Sequence, residues 1–120
     1  MNPIAFLHHT RFETKPVIEM LLETPFSKEI RICMGEGVVM REHTAPNAIT
    51  IMVLEGSVTI ESLGSSVCLT SGDTIYFDPK VPHSLHATLP SVVRLTLAKT
   101  DTLQRVLNVG VGVKNVMGQS

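Results

Sequence analysis

GVVMREHTAPNAITIMVLEG, residues 37–56, consists of two short apolar runs, VVMREH and AITIMVLE, with an Ala-Pro-Asn turn between them and a glycine at either end. Runs of this length rich in Val, Ile and Thr, bounded by turn residues, predict strands. The same texture extends in both directions. Upstream stand VIEMLLE and EIRICM; downstream come SVTIES, SVCLT, TIYFD, SLHATL and VVRLTLAK. Between them lie GEG, EG, LGSS, SGD, PKVP and LPS, all good turn chemistry. Val58 and Ile60 alternate with Thr59 and Glu61, as expected of a strand with one buried and one wet face. VIEMLLE alone suits a helix as well as a strand, and Thr24-Pro25 ends it in either case. Many short strands with few helices predict an all-β sandwich or barrel.

The last twenty residues differ. In TDTLQRVLN, Leu103, Val106 and Leu107 share a helical face, and Asp101 with Gln104 has the spacing of a capping box. Beyond it, Val109, Val111 and Val113 fall on one side if the chain is extended, which suggests an arm that docks on the barrel or on a second subunit. The expected organisation is one domain over 1–120, with a barrel core at about 17–99 and a C-terminal arm at about 100–120.

Composition excludes several classes. Ten Lys and Arg against eleven Asp and Glu give a net charge of −1 with no basic strip, so no nucleic-acid partner is expected. The longest apolar run, Ile51 to Leu54, is far short of the roughly 20 residues of a membrane span. The opening MNPIAFLHHTRFE lacks the pattern of a signal peptide, and Cys33 and Cys68 match no metal or redox spacing. Two reduced thiols in a cytoplasmic protein are the expectation. A mean hydropathy of +0.23 is high for a small domain with few aromatics and points to a self-association face, hence a homodimer.

Two histidines sit in a regular frame. From Gly37, five residues lead to His43, one to Ala45, three to Ile49 and six to Gly56. From Gly72, five residues lead to Asp78, one to Lys80 and two to His83. This frame resembles the two motifs of the cupin family, in particular its small single-domain (RmlC-like) members, over about residues 30–98. The resemblance implies a single jelly-roll β-barrel and pairing of subunits through strands and terminal segments. In the family, positions 43, 45, 49 and 83 supply two histidines, a glutamate and a third histidine to a divalent transition metal (Fe, Mn, Ni or Zn). Ala45 and Ile49 depart from that pattern, and so do Asp78 and Lys80, where the family has proline and glycine. Only His43 and His83 remain of the ligand set, with His86 a candidate replacement if a bulge re-aims it, or His8 and His9 if the N-terminal segment folds over the barrel mouth.

Strand parity places Ile49, Ile51, Val53, Leu85 and Ala87 on the inward side with the histidines, and Arg41 shares the parity of His43. The expected site is therefore an apolar pocket with two imidazoles, His43 and His83, and an arginine, suited to a small organic ligand. Two functions stay open. One is a small-molecule-binding cupin with a degenerate metal centre. The other is a transition-metal-dependent oxygenase or isomerase using His43, His83 and a replacement ligand. An empty, sizeable cavity would favour the first and bound metal the second, while a third class, a structural partner whose pocket is only core, would show a cavity filled by side chains.

Overall fold

The structure, a computed structural model, describes residues 1–110. Nine strands and one helix follow in order: β1 (Val17–Glu23), β2 (Ser27–Met34), β3 (Val39–His43), β4 (Ile49–Glu55), β5 (Ser57–Ser62), β6 (Ser65–Thr70), β7 (Thr74–Phe77), β8 (His83–Ala87), β9 (Ser91–Ala98) and α1 (Leu103–Gly110). VIEMLLE is thus strand β1. Its helical alternative fails because the segment pairs antiparallel with β2 from Val17↔Cys33 to Glu23↔Lys28.

The strands form two sheets, β1-β2-β9-β4-β7 and β3-β8-β5-β6. All pairings are antiparallel, and successive strands mostly change sheet, the arrangement of a jelly roll. The expected barrel is therefore two facing sheets rather than a closed ring of ladder bonds. Ile30, Ile32 and Met34 of β2, Ile49, Ile51 and Val53 of β4, Val58 and Ile60 of β5, and Val93, Leu95 and Leu97 of β9 fill the space between them. The period of two in the sequence produces this core directly, since alternate side chains point to opposite faces.

One glycine is held in place by its surroundings. Gly56, between β4 and β5, has φ of 101°, and a Cβ there would lie on the Ser91 hydroxyl and 2.5 Å from the Pro90 carbonyl oxygen. Gly56→Ala is expected to cost about 2–4 kcal/mol, from left-handed strain plus overpacking, read as a lower urea midpoint. An unchanged midpoint would show that the β8–β9 loop yields freely.

The outer face of the five-stranded sheet is covered where β2 crosses it. Arg31, its side chain 4 % exposed, pairs with Glu19 at 2.8 Å and donates to the backbone oxygens of Phe6, His8 and His9 at 3.3, 2.7 and 3.4 Å. The Phe6 ring lies 4.7 Å beneath the Arg94 guanidinium, and Phe12 and Glu13 pass over Gly35. The N-terminal segment thus lies along the outside of the sheet and leaves His8 and His9 exposed there. Beside it, Glu29 accepts bonds from Ser27, Thr96 and Arg94. Burial pushes its carboxyl up, but these three hydrogen bonds outweigh that and hold it below the ordinary value.

Helix α1 starts with Thr102 as its cap, whose hydroxyl accepts the Arg105 N–H at 3.3 Å. The expected capping box does not form. Asp101, 2 % exposed, instead grips Arg105 through both carboxylate oxygens, and Gln104 bonds Asn108. The buried face is Val106, Val109 and Gly110, with Leu103 and Leu107 only half-buried. Val109 is helical rather than extended, while Val111 and Val113 lie outside the described residues. No helix among the described residues is long and apolar enough to cross a membrane.

Candidate functional site

Strands β3 and β8 pair so that His43 and His83 are direct cross-strand partners. Antiparallel partners share a face, so both imidazoles enter the same space between the sheets. Their ring centroids are 4.3 Å apart with the planes at 70°, and Phe77 stacks on His83 at 4.7 Å.

A bulge decides what accompanies them. Met40 pairs with Leu85 and His43 with His83, so three steps along β3 match two along β8. The extra residue turns Met40 and His43 inward together. It also overturns the expectation for Arg41, which counting by twos placed in the pocket. Arg41 instead borders a groove on the other side of β3, with Thr14, Lys15, Pro16, Val39, Val109 and Gly110. Strand β3 ends at His43, so Ala45 lies in the loop that follows, buried, its carbonyl accepting the Lys80 N–H at 2.8 Å. Lys80 adopts a left-handed φ of 66°, so the turn keeps a conformation that favours glycine without having one.

The two imidazoles face a cavity walled by Ile49, Ile51 and Leu85, as expected, and also by Ile32, Met40, Val93 and Leu95. Val53 and Ala87 point inward as parity required, but they are packed core and do not reach it. His86 is exposed on the outer face of β8 and is not brought to the site, because no bulge interrupts β8 between it and His83. Arg105 and Val106 of α1 complete the wall. Sequence reasoning missed them. The Asp101–Arg105 spacing of four was a readable ion pair, but nothing local placed it over the pocket. The Arg105 Nη1 also donates to the Thr44 carbonyl at 3.2 Å, tying α1 to the β3–β4 loop. The remaining cavity is about 10 Å³, room for one water-sized group.

Electrostatics and hydrogen bonding set the state of the histidines. Each Nδ1 lies against a backbone carbonyl, Arg41 O at 2.7 Å for His43 and Val81 O at 2.9 Å for His83. A carbonyl only accepts, so Nδ1 carries the proton and each neutral ring keeps its lone pair on Nε2. His83, 1 % exposed, has no partner for Nε2 among the described residues. Burial pushes the His43 pKa down to about 4, against the Arg41 carbonyl, with the charges of His83, Arg105 and Arg41 acting in the same direction as burial. Burial also lowers His83, opposed by the Val81 carbonyl and reinforced by Arg105. Both are neutral at pH 7.

The fold and the glycine–histidine frame now meet a direct comparison. The family model described as "Cupin domain" matches residues 30–98, more than half the chain. The chain belongs to the cupin family. Solved structures similar to this cupin include an RmlC-like cupin protein from Desulfovibrio desulfuricans, 22 % identical with a TM-score of 0.75, covering 82 % of this chain and 97 % of that one. An RmlC-like cupin from Shewanella frigidimarina is 19 % identical, with a TM-score of 0.69 and coverage of 83 % and 93 %. KdgF from Halomonas sp. is 21 % identical, with a TM-score of 0.64 and coverage of 72 % and 81 %. At these identities the likeness is one of fold. No curated protein matches the sequence.

A divalent transition metal, common in this family, does not fit the residues this cupin offers. Among the described residues, no group of three or more His, Cys, Asp or Glu side chains converges on a point. The cavity supplies two neutral imidazoles and no anionic donor, and the Arg105 guanidinium stands in its wall. Transition-metal sites ordinarily take three or four protein ligands, and a dication beside a guanidinium in an apolar hole is poorly compensated.

Proposed function

We propose that this cupin binds a small organic molecule in the His43–His83 pocket without a metal ion. The observation that carries the proposal is the His83 Nε2, a buried lone pair without a partner beside a second imidazole in an otherwise apolar cavity. Leaving such an atom unbonded costs about 1–3 kcal/mol, so a hydroxyl or amine donor is the chemistry that fits it. The surrounding Ile, Leu and Val side chains favour an apolar body on the ligand. With about 10 Å³ left, the closed pocket is nearly filled by side chains, which is what the structural-partner class predicts. Binding an organic molecule therefore requires α1, whose Arg105 and Val106 line the pocket, to give way. The burial of Val106 and Val109, about 1.5–3 kcal/mol for each side chain, keeps the closed state dominant.

The test is elemental analysis and native mass spectrometry of protein purified without chelator, beside the His43→Ala/His83→Ala double variant. The expected result is negligible transition metal in both, and a small organic adduct or ligand-induced thermal shift in the wild type that the variant loses. Close to one transition metal per chain, lost in the variant, would sink the proposal. The metal-dependent oxygenase or isomerase would then be the function to assay.

A further inference from the structure

Arg105 both ties α1 to the β3–β4 loop and lines the pocket. Its Nε and Nη2 bond the two oxygens of Asp101 at 2.7 and 2.6 Å, and Nη1 bonds the Thr44 carbonyl at 3.2 Å. Three of the five N–H groups of a guanidinium are thereby used, and the group is oriented by a carboxylate that is itself buried. Two N–H groups remain on a side chain that lines the same cavity as His43 and His83. Independently, the His83 Nε2 is a buried acceptor without a partner. The pocket therefore has a guanidinium, oriented by Asp101, in its α1 wall and lone-pair acceptors at its β3–β8 wall. A molecule that satisfies both ends is an acid that also carries a donor.

We propose that Arg105 anchors a carboxylate, and that the ligand of this pocket is a small hydroxy or amino acid whose hydroxyl or ammonium group donates to His83. This rests on the binding function proposed above and adds the chemical class of the ligand. The carboxylate pairs with the guanidinium through its remaining N–H groups, a charge-assisted contact. The donor end relieves the orphaned nitrogen. The closed cavity admits only a water-sized group, so the acid enters when α1 shifts, which carries Arg105 along with its Asp101 partner and breaks the Thr44 bond.

The experiment is isothermal titration of the full chain with hydroxy acids and amino acids of two to six carbons, each compared with its own amide. A charge-assisted pair of hydrogen bonds predicts that the acid which binds does so about tenfold or more tighter than its amide. In Arg105→Gln that preference should fall to near unity, while Arg105→Lys, which keeps the charge without the fork, retains part of it. Circular dichroism of both variants checks that the fold survives. If only Arg105→Gln unfolds, Arg105→Lys alone decides, and an undiminished acid preference there overturns the assignment. Equal binding of acid and amide by the wild type also overturns it, and leaves the pocket as a neutral-ligand site. Binding of no acid and no amide overturns this inference, while the function on which it rests stands or falls by the adduct and metal analysis described above.

Discussion

Acidifying this cupin from pH 7 to pH 4.5 is expected to remove about 2 kcal/mol of folding stability through His43 alone, with His83 adding to the loss. In the fold His43 titrates near pH 4, against an ordinary value of 6.5, because burial disfavours the imidazolium. Between those two values the unfolded chain binds more protons than the folded one, so stability falls as the pH falls through the window. About a unit above pH 6.5 and higher, both states are neutral at this ring and the contribution is flat. Glu29 acts in a separate range, since its carboxyl is held below the ordinary 4.5 and its loss comes only on further acidification. Urea unfolding at a series of pH values measures the effect. Replacing both histidines with asparagine should flatten the curve between pH 7 and 4.5. A wild-type stability that is level across the window would show that the rings are protonated, or solvated, inside the pocket. A loss that persists in the double variant would place its origin elsewhere.

Arg31→Met should detach the N-terminal segment from the sheet, at a cost of about 2–4 kcal/mol. The three backbone oxygens of Phe6, His8 and His9 converge on one guanidinium, and no other side chain makes a hydrogen bond to that stretch among the described residues. Glu19, the arginine's carboxylate partner, is half-exposed and can be solvated once the arginine is gone, which keeps the penalty below that of a fully buried broken pair. Cys33 reports the detachment. It is fully buried, on the same outer face of β2 as Arg31, and it lies between Arg31 and Gly35, both of which touch the segment. In the wild type a thiol reagent should label the exposed Cys68 rapidly and Cys33 only on unfolding. In Arg31→Met both should react, and limited proteolysis should cut within the first thirteen residues. Continued protection of Cys33 would mean that the sheet's own side chains, Val17, Leu54 and Val92, suffice to cover it.

The strands, their turns and the pairing of the two histidines were legible because each follows from local rules. Val, Ile and Thr at a period of two declare a half-buried strand. The glycines at 37, 56 and 72 all take positive φ at the turns where the frame set them. His43 and His83 were placed at one cavity by their spacing, and they are cross-strand partners. Arg41 and His86 show the limit of the same rule. Counting by twos carried Arg41 inward, but one extra residue in β3 shifts the count. For His86, a re-aiming bulge in β8 was required and is absent there. A bulge is a property of two paired strands, so neither strand's sequence alone announces it.

What the sequence by itself determined is the fold class, the identity of the two imidazoles and the loss of the other metal donors, since Ala45 and Ile49 carry no group that could bind an ion. Those depend on residue type and on periodicity, both written along the chain. Only the tertiary structure decided the size and chemistry of the pocket. Arg105 reaches Thr44 across 61 residues, Val106 joins the wall of the cavity, and the N-terminal segment covers a sheet face that alternation alone would leave wet. These are contacts between elements distant in sequence, and their geometry is set by how the sheets and α1 pack against one another.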